Sequence, residues 1–408
     1  MHSTKALPGS APSHAPQHVP DRVATDAADD APLRVLFCLD SFHVGGTELN
    51  AVRTLERLVA RGVEMEVACL RPEGPLLERV ERAGVPVHEF RVPSLGSPRA
   101  VTQGMRFRSL VRRAAFDVVH AHDLYSNILL VPWARLSGSC AVIASRRWWS
   151  ETPRAAHRVL NRWSYHFAHR VLVNSPAIGS LVESERIAPE RIVVISNFVD
   201  DEAFESPGDA LLQHLRTELA LPPDAVVVGC VANLHPVKEH SVLLDCVSQL
   251  TNRWPRLRLV LVGDGPCRDG LEAQAQRLGI QQHVVFAGAR PHHPSMHYLF
   301  DISVLASRAE GFPNAIVEAM AAGCAVVATA VGGVVDAVTH DQTGLLVPPS
   351  QPTAFAAALE VLLRDESARR RLGFAGRQRA LQRYQAEHTI DALEALYTSI
   401  VRRRRNGR

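Results

Sequence analysis

Lysine is nearly absent from this chain of 408 residues. Of its 45 basic residues, only Lys5 and Lys238 are lysines, and all the others are arginines. The formal net charge of +3 is small, so overall charge does not by itself indicate a polyanionic partner. Because arginine is used almost everywhere else, the lysine kept at position 238 is a candidate functional residue.

Cysteine is also scarce. The seven cysteines are spread from Cys38 to Cys324, their number is odd, and no C-x-x-C pair occurs. Such spacing argues against a disulfide framework or a zinc site, and it is typical of a protein from a reducing compartment. We therefore expect a cytoplasmic protein whose cysteines act as small buried hydrophobic side chains.

Long apolar runs are missing as well. No run approaches the roughly 18 residues that a membrane-spanning helix needs, and the N-terminus lacks the basic and apolar regions of a signal peptide. The absence of a P-loop and of a G-x-S-x-G motif gives no support to a P-loop ATPase or an α/β-hydrolase. With 46% hydrophobic and 21% charged residues, the composition is that of a soluble globular protein and excludes collagen-like or wholly disordered chains.

What the sequence does contain is a regular alternation of short apolar runs and helical segments. In the first half the apolar runs cover 35–39, 66–70, 118–120, 141–144, 171–173 and 192–195. In the second half they cover 226–231, 257–262, 284–287, 302–305 and 325–328. This alternation predicts parallel sheets with crossover helices. A single sheet of so many strands would be unusually large, so we predict an α/β protein with two doubly wound, Rossmann-like domains facing across a cleft.

The strand pattern lapses between residues 200 and 223, where proline, glycine and aspartate accumulate. We therefore predict a disordered tail over 1–31, an N-terminal domain over 32–204 and a C-terminal domain over 205–383. Residues 384–408 are predicted to form a C-terminal helix, able to pack back on the N-terminal domain, and a frayed basic tail. Ligands of open α/β sheets bind at the carboxyl ends of the strands, so functional residues are expected there.

One segment places two carboxylates at such an edge. Glu310 lies in the loop after the predicted strand 302–305, and Glu318 follows it on the second turn of the next helix. Gly311 allows close approach of the backbone to a ligand, and Pro313 suits the first turn of that helix, whose N-terminus can hold an anion. The two carboxylates can contact two parts of one ligand, such as two sets of sugar hydroxyls. Alternatively, both are ordinary acids at the start of a helix.

The residues around these carboxylates resemble a known family. The E-x7-E spacing encloses Gly-Phe-Pro-Asn and is followed by Val-Val-Ala-Thr, Val-Gly-Gly-Val and Thr-Gly-Leu-Leu-Val-Pro-Pro. This string resembles the C-terminal domain of retaining glycosyltransferases of the GT-B fold, family 4. It runs from about residue 226 to residue 349, and weaker similarity extends the resemblance over most of 33–400.

The resemblance implies a nucleotide-sugar site in the C-terminal domain. Glu310 matches the glutamate that contacts donor-sugar hydroxyls on the reacting face, and Glu318 matches the one that holds the nucleotide ribose. The donor-binding loop between them comprises Gly311, Phe312, Pro313 and Asn314. Its backbone N–H groups, at every position but the proline, are expected to contact the sugar and the diphosphate.

Lys238 ends the loop that follows the predicted strand 226–231. In the family, basic residues of this loop bind the diphosphate, with Arg or Asn near its start and Lys at its end. Here the first position is Asn233, which leaves Lys238 to neutralise the diphosphate with less help, and Glu239 follows where the family usually has glycine. Without the family, a lysine at a strand-to-helix junction is more often a solvated surface residue.

Two glycines and a histidine are the candidates in the N-terminal domain. Gly45 and Gly46 precede the first predicted helix, where they form either a tight turn or, as the resemblance implies, a loop facing the donor phosphates and the acceptor. His122 matches the family's cleft histidine beside the donor sugar, whereas His120, on the same side of the strand, is expected to be a core residue. No third metal ligand is evident, so neither a metal nor another cofactor is expected.

Positive charge concentrates between residues 99 and 170, where twelve arginines stand against three acidic residues. Arg154, Arg158 and Arg162 recur on one face of a predicted helix, and Trp148 and Trp149 lie just upstream. This face is either a solvated helix surface or one that meets an anionic membrane surface or acceptor.

With the resemblance, the sequence predicts a retaining hexosyltransferase that moves a sugar from a nucleotide-diphosphate-sugar donor to a saccharide or lipid-linked acceptor in polysaccharide biosynthesis. The predicted catalytic residues are His122, Lys238 and Glu310. The predicted location is the cytoplasm, with peripheral contact to the inner face of the cell membrane. The alternative is a non-catalytic nucleotide-sugar-binding or scaffolding homologue. Nucleic acid is not an expected partner, because no recognised nucleic-acid-binding motif occurs.

Overall fold

The computed structural model describes residues 32–149, 155–290 and 294–406. The predicted disordered tail, residues 1–31, lies outside the described residues. Two fully parallel sheets, of seven and six strands, occupy the described part of the chain, and helices connect their strands. The predicted α/β class with two doubly wound domains is confirmed.

The first sheet belongs to the N-terminal domain and has the strand order β3-β2-β1-β4-β5-β6-β7. Its strands are β1 (Arg34–Ser41), β2 (Glu64–Arg71), β3 (Val87–Glu89), β4 (Val118–Ala121), β5 (Ala141–Arg146), β6 (Arg170–Val173) and β7 (Ile192–Val194). The helices between them are α1 (Gly46–Ala60), α2 (Leu77–Arg82), α3 (Pro98–Ala114), α4 (Leu124–Ser137), α5 (Ala155–Phe167) and α6 (Pro176–Ser184). The strand order reverses between β1 and β4, which makes this point the expected ligand crevice.

The second sheet belongs to the C-terminal domain and has the order β10-β9-β8-β11-β12-β13. Its strands are β8 (Val226–Val231), β9 (Leu257–Val262), β10 (Val284–Gly288), β11 (Ile302–Leu305), β12 (Ala325–Thr329) and β13 (Leu345–Val347). The helices are α7 (Asp209–Glu218), α8 (His240–Leu250), α9 (Arg268–Arg277), α10 (Asn314–Ala321), α11 (Val334–Ala337), α12 (Pro352–Arg364), α13 (Glu366–Arg383) and α14 (Ala386–Asn406). Here the order reverses between β8 and β11.

The strands of both sheets are apolar along most of their length because helices cover both faces of a parallel sheet. In β1, Val35, Phe37 and Leu39 pack on one face and Leu36 and Cys38 on the other, and all five are buried. This two-sided burial explains why the strands could be found as short continuous apolar runs.

Two strands, β3 and β13, were missed in the sequence analysis. Each has three residues and lies at the edge of its sheet. A three-residue strand is too short to show a period. The edge strand β7, equally short, was found because it lies in the four-residue apolar run 192–195. Helix α10 begins at Asn314, with Pro313 as its N-cap, one residue later than the sequence analysis expected.

The last helix returns to the N-terminal domain. Ile390 and Tyr397 of α14 lie in the same buried cluster as Phe37 of β1. Just before α14, the Val199 amide donates to the carbonyl of Tyr384 at 2.8 Å, so the chain crosses between the domains twice, side by side. A frayed basic tail was expected at the end of the chain, but α14 continues through its arginines to Asn406. No helix in the described ranges is both long and apolar enough to cross a membrane.

Candidate active site

The carboxyl ends of the two sheets meet at a cleft that contains two adjoining cavities. The larger, of about 340 Å³, is lined from the N-terminal side by Gly46, Arg147 and Trp148 and from the C-terminal side by Lys238 and Glu310, among others. The sequence-predicted residues that line it are Gly46, Asn233, Lys238, Glu310, Gly311, Phe312, Pro313 and Asn314. Both domains therefore contribute to one site.

The smaller cavity, of about 150 Å³, adjoins the larger one. Gly46, Asn233 and Asn314 line both cavities, whereas Gly45 and Glu318 line only the smaller one among the predicted residues. The structure therefore brings together the predicted donor-binding residues at the carboxyl ends of β1, β8 and β11. Their contacts with a donor remain predictions.

Lys238 and Glu310 form an ion pair at the floor of the cleft. Lys238 ends a short 3-10 turn after β8, and its Nζ donates to Glu310 Oε1 at 2.5 Å. Ser307 Oγ donates to the same carboxylate oxygen at 2.6 Å, and Glu310 is largely buried. A ligand that reaches one of these two charges therefore also lies within reach of the other.

Gly311 has a different neighbour from the one that the sequence analysis expected. A Cβ at this position would lie 2.3 Å from the backbone oxygen of Arg147, which belongs to the N-terminal domain. Ser175, also from that domain, donates its hydroxyl to the Gly311 carbonyl at 2.9 Å. Glycine is therefore required here by close contact between the two domains, independently of any ligand.

Glu318 lies on the second turn of α10 and is almost entirely buried. Its Oε1 is 3.6 Å from Nη1 of Arg53 on α1, and its Oε2 is 3.8 Å from Nε2 of His297. At the start of the same helix, Asn197 donates its side-chain amide to Oδ1 of Asn314 at 3.0 Å. Arg53 and Asn197 both come from the N-terminal side of the cleft, so α10 is contacted across it at two points.

The glycine loop before α1 abuts the start of α10. A Cβ on Gly46 would lie 3.3 Å from Nδ2 of Asn314, and one on Gly45 would collide with the carboxylate of Glu48. The glycine at position 46 therefore lets the N-termini of two helices, α1 and α10, approach each other across the cleft, whereas Gly45 faces a side chain of α1 itself. Free amide groups at both helix starts make this a favourable place for an anion.

His120 and His122 lie on the same side of β4, as the strand alternation predicts, and their rings stack with centroids 4.1 Å apart. His120 is a hydrogen-bonded core residue: its ring nitrogens lie 2.7 Å from the hydroxyls of Tyr397 and Ser145. His122 is also fully buried, and neither of its ring nitrogens has a hydrogen-bond partner within the described ranges. It lines neither cavity, so its predicted role beside the donor sugar is not supported by a contact with the cleft.

Asp40, Asp123 and Arg147 of the N-terminal domain were not predicted as site residues from the sequence. Five buried ionisable side chains lie close together behind the cleft, and we call them the N-terminal ionisable cluster: Asp40, His120, His122, Asp123 and Arg147. Burial lowers the pKa of both histidines, so they are neutral near pH 7, and it raises the pKa of Asp123 well above its ordinary value. These residues lie at or just after the carboxyl ends of β1, β4 and β5. Apart from the two histidines, nothing in their spacing indicates that they meet.

Arg147 is the member of this cluster that reaches the larger cavity. It follows β5, its Nη1 donates to the side-chain oxygens of Asn50 and Asn197, and burial lowers its pKa to about 10. The guanidinium is therefore still charged at neutral pH. The sequence analysis noted it only as part of a basic stretch, because the exposed arginines around it have the same sequence pattern.

Asp40 is the member of the cluster that lies at the end of β1. Its carboxylate accepts hydrogen bonds from the amides of Tyr125 and Ser126, at the N-terminus of α4. Burial raises its pKa to about 6, although these two hydrogen bonds act in the opposite direction.

The basic helix predicted after residue 150 is α5. Its apolar side chains Val159, Leu160 and Trp163 are exposed, and Trp163 retains 54% of its accessible surface. Arg158 is exposed on the same helix, whereas Arg154 lies outside the described residues. The helix therefore presents both apolar and basic groups at the surface.

Throughout the described ranges, no group of three or more His, Cys, Asp or Glu side chains is arranged to hold a metal ion. The positive charge at the cleft comes instead from Lys238, Arg147 and Arg53. Glu310 and Glu318 are the carboxylates that line the two cavities on the C-terminal side.

Two facing Rossmann-like sheets with a shared cleft at their carboxyl edges confirm the predicted GT-B architecture. The structure is similar to that of Anabaena HepE in complex with UDP, with a TM-score of 0.79. That similarity covers 90% of this chain and 100% of HepE, at 23% sequence identity. The fold class is therefore that of the GT-B glycosyltransferases.

Sequence comparison gives the family. Residues 44–203 match the family described as Glycosyltransferase Family 4, and residues 213–379 match Glycosyl transferases group 1. The chain is 32% identical to a D-inositol 3-phosphate glycosyltransferase of Stackebrandtia nassauensis, over 88% of each protein. It is 30% identical to a protein of the same name from Corynebacterium urealyticum, over 87% of this chain and 91% of that protein. The chain belongs to the group 1 glycosyltransferases, as the resemblance in its sequence indicated.

Proposed function

We propose that this glycosyltransferase transfers a hexosyl group, with retention of anomeric configuration, from a nucleoside-diphosphate sugar to a saccharide or lipid-linked acceptor in polysaccharide biosynthesis. The observation that carries the proposal is the Lys238–Glu310 ion pair in a cavity between the domains, with Glu318 in the adjoining cavity. The complex of HepE with UDP supports a nucleotide donor for a chain of this fold.

The donor would lie along the loop between β11 and α10. Glu310 would accept hydrogen bonds from hydroxyls of the sugar, and Glu318, one helical turn or more away, would accept them from the ribose. The diphosphate would then lie between them, beside Lys238 and the amides at the start of α10. This order follows the two adjoining cavities, which share Gly46, Asn233 and Asn314.

The main chemical demand is stabilisation of the leaving diphosphate. The bond from the anomeric carbon to the phosphate oxygen breaks, the acceptor oxygen bonds to that carbon on the same face, and the departing phosphate takes the acceptor proton. Lys238 and the helix amides stabilise the negative charge that develops on the phosphate. Closure of the cleft excludes water, so that the acceptor and not water attacks.

We propose that this electrostatic stabilisation comes from the protein and not from a bound metal ion. Lys238 and Arg147 provide positive charge on the two sides of the larger cavity. Turnover measured in excess EDTA should equal turnover in buffer alone, and restoration of activity by Mg²⁺ or Mn²⁺ would contradict the proposal.

A thermal-shift panel tests donor binding directly. UDP, GDP, ADP, CMP and their common sugar conjugates would be added to the wild type, to Glu318→Ala and to a surface control, Glu272→Ala on exposed α9. Stabilisation by one nucleotide series that is retained in the control and lost in Glu318→Ala supports a ribose role for Glu318. The absence of any shift with the wild type favours the alternative of a scaffolding homologue that does not bind the donor.

The acceptor is a saccharide or a lipid-linked saccharide in this proposal. A second class, a phosphorylated cyclitol, is suggested by the name of the two relatives and by the charged guanidinium of Arg147 at the larger cavity. Product formation with each acceptor class, followed by NMR of the new anomeric proton, distinguishes them. The same spectra report whether the configuration is retained.

For a lipid-linked acceptor, we propose that α5 meets the cytoplasmic face of an anionic membrane. Trp163, Leu160 and Val159 offer apolar groups to the interface, and Arg158 offers positive charge to lipid headgroups. Co-sedimentation with vesicles should increase with phosphatidylglycerol content and should decrease in Trp163→Ser. A matched control is Phe374→Ser, an exposed aromatic residue of the C-terminal domain. Binding that ignores lipid charge would contradict the proposal.

A further inference from the structure

Three arginines follow one another at successive turns, Arg53 and Arg57 on α1 and Arg61 at its C-cap. Each contacts acidic residues from another part of the chain. Arg61, farthest from the cleft, binds the acidic face of α14 through contacts that include Asp391. Arg57, in the middle, lies 2.9 Å from Asp201, just after the first crossing between the domains. These two pairs hold α1 against the segments that join the domains.

Arg53 is the arginine of this row that reaches the cleft. Its Nε lies 2.8 Å from Oδ2 of Asp200, and its Nη1 lies 3.6 Å from Oε1 of Glu318 on the opposite domain. Only 6% of Arg53 and 5% of Glu318 are exposed. One guanidinium therefore joins the linker between the domains to the carboxylate of the smaller cavity.

The physical effect of such a contact depends on its distance and its burial. Attraction between opposite charges is much stronger where water is excluded than at an exposed surface. A separation of 3.6 Å is that of an ion pair and not of a direct hydrogen bond. Arg53 therefore restrains the position of the Glu318 carboxylate, while Asp200 restrains Arg53.

We propose that Arg53 is a positioning residue that holds Glu318 ready for the ribose and thereby links donor binding to the arrangement of the two domains. The inference rests on the proposed function, because it requires that Glu318 receives the ribose of a donor. The contact joins α1 of one domain to α10 of the other, so opening of the cleft would separate it. A donor that binds Glu318 in its restrained position therefore also favours the closed cleft.

The experiment measures the Kd of the nucleoside diphosphate that the panel identifies among UDP, GDP and ADP, and of its 2′,3′-dideoxy analogue, by calorimetry. The variants are Arg53→Gln, Arg53→Lys, Glu318→Ala and the double variant of Arg53→Gln with Glu318→Ala. The matched control is Arg57→Gln, which removes the next arginine of the row but lines neither cavity. Thermal unfolding of each variant reports whether it folds, and Arg53→Lys keeps the charge if Arg53→Gln does not fold.

Arg53→Gln should weaken binding of the diphosphate about tenfold, a usual size for the coupling of neighbouring residues. It should have little effect on the dideoxy analogue, which lacks the ribose hydroxyls, and little further effect when Glu318 is already alanine. Arg53→Lys should recover part of the affinity, and Arg57→Gln should bind like the wild type. In turnover, the donor KM should rise in Arg53→Gln with kcat almost unchanged.

Two results would overturn the inference while leaving the proposed function intact. One is an equal loss of affinity for both nucleotides, and the other is an equal effect of Arg53→Gln with and without Glu318→Ala. Either would make Arg53 a structural residue of the domain junction. If no nucleotide binds the wild type, the proposed function fails and the inference fails with it.

Discussion

The two sheets that meet at the cleft end in different ways. The N-terminal sheet ends in the N-terminal ionisable cluster, whose members are buried and, apart from Arg147, line neither cavity. Hydrogen bonds hold His120 and Arg147 to polar side chains outside the cluster. The C-terminal sheet ends in short loops and the start of α10, which present Lys238, Glu310 and backbone amides to the cavities. Buried charge is costly to leave without a partner, whereas charge at a cavity can be used by a ligand. We therefore expect side chains at the N-terminal edge to contribute mainly to the stability of the fold. Side chains at the C-terminal edge are expected to contribute mainly to the reaction.

The largest effect is expected at the C-terminal edge. Lys238→Met removes the ammonium group that we propose lies beside the leaving phosphate. The kcat should then fall by about 10²–10³-fold, the usual loss when one preorganised hydrogen-bond donor is removed. Steady-state kinetics with saturating donor measures this change. Arg308→Met, which removes an exposed cation from the same side of the cleft, is the control and should retain wild-type kcat. A Lys238→Met enzyme with the wild-type kcat would contradict the expected role of the C-terminal edge in the reaction.

The next effect concerns stability and belongs to the N-terminal edge. Arg147→Met leaves the side-chain oxygens of Asn50 and Asn197 without their buried donor. The free energy of unfolding should fall by about 2–4 kcal/mol, since each buried polar group left unpaired costs about 1–3 kcal/mol. Urea denaturation measures this loss, and Arg113→Met at the exposed end of α3 is the control. If Lys238→Met lowers the free energy of unfolding as much as Arg147→Met does, the two edges contribute equally to stability, contrary to expectation.

A smaller effect is expected in the pH dependence of stability. Burial raises the pKa of Asp40 to about 6, whereas an unfolded aspartate titrates near pH 4. Between these values the folded chain binds more protons than the unfolded chain, so the free energy of unfolding falls as the pH rises from about 4 to about 6.

Asp40→Asn removes this titration. It should reduce the fall in unfolding free energy over that pH interval by about 2 kcal/mol. Urea denaturation at several pH values gives the slope directly. Asp224→Asn, at the exposed surface of the C-terminal domain, is the control and should keep the wild-type slope. An unchanged slope in Asp40→Asn would show that the cluster does not hold this proton.

The smallest effect concerns Glu239, the residue that stands where the family usually has glycine. Its φ is +45°, a left-handed conformation that costs a side-chain-bearing residue about 1 kcal/mol. Its carboxylate accepts a hydrogen bond from Ser350, which offsets part of this cost. Glu239→Gly should therefore change the free energy of unfolding by less than about 1 kcal/mol.

A double-mutant cycle sharpens this last prediction. Ser350→Ala should cost about 0.5–1 kcal/mol in the wild type, because it removes the hydrogen bond, and almost nothing in Glu239→Gly. Equal costs in both backgrounds would show that Ser350 does not stabilise the left-handed turn.

The sequence predicted the C-terminal edge in more detail than the N-terminal edge, and the reason is physical. Glu310, Gly311 and Glu318 lie within one loop and the helix that follows it. Their positions relative to one another therefore follow from local sequence spacing and helix geometry. Asp40, Asp123 and Arg147 come from the ends of three strands that are separated by long helical connections. Their proximity depends on the strand order, which hydrophobic periodicity does not give.

Contacts across the cleft were beyond prediction for the same reason. Gly311 is required by the Arg147 carbonyl, and Glu318 meets Arg53, but each pair joins residues of different domains. The hydrogen bond of His120 also depends on how α14 packs on the N-terminal domain, because its partner Tyr397 belongs to that helix. Local patterns therefore predicted which residues follow strands, but not which of them reach the cavities.

The pairing of Lys238 with Glu310 has a practical consequence for spectroscopy. Because position 5 holds the one other lysine of the chain, protein grown on isotope-labelled lysine carries just two labelled side chains. One of them reports from the floor of the cleft, where its ammonium group touches a carboxylate. Binding of a nucleotide at the cleft can therefore be followed by NMR through the resonance of the Lys238 side chain, with no added tag.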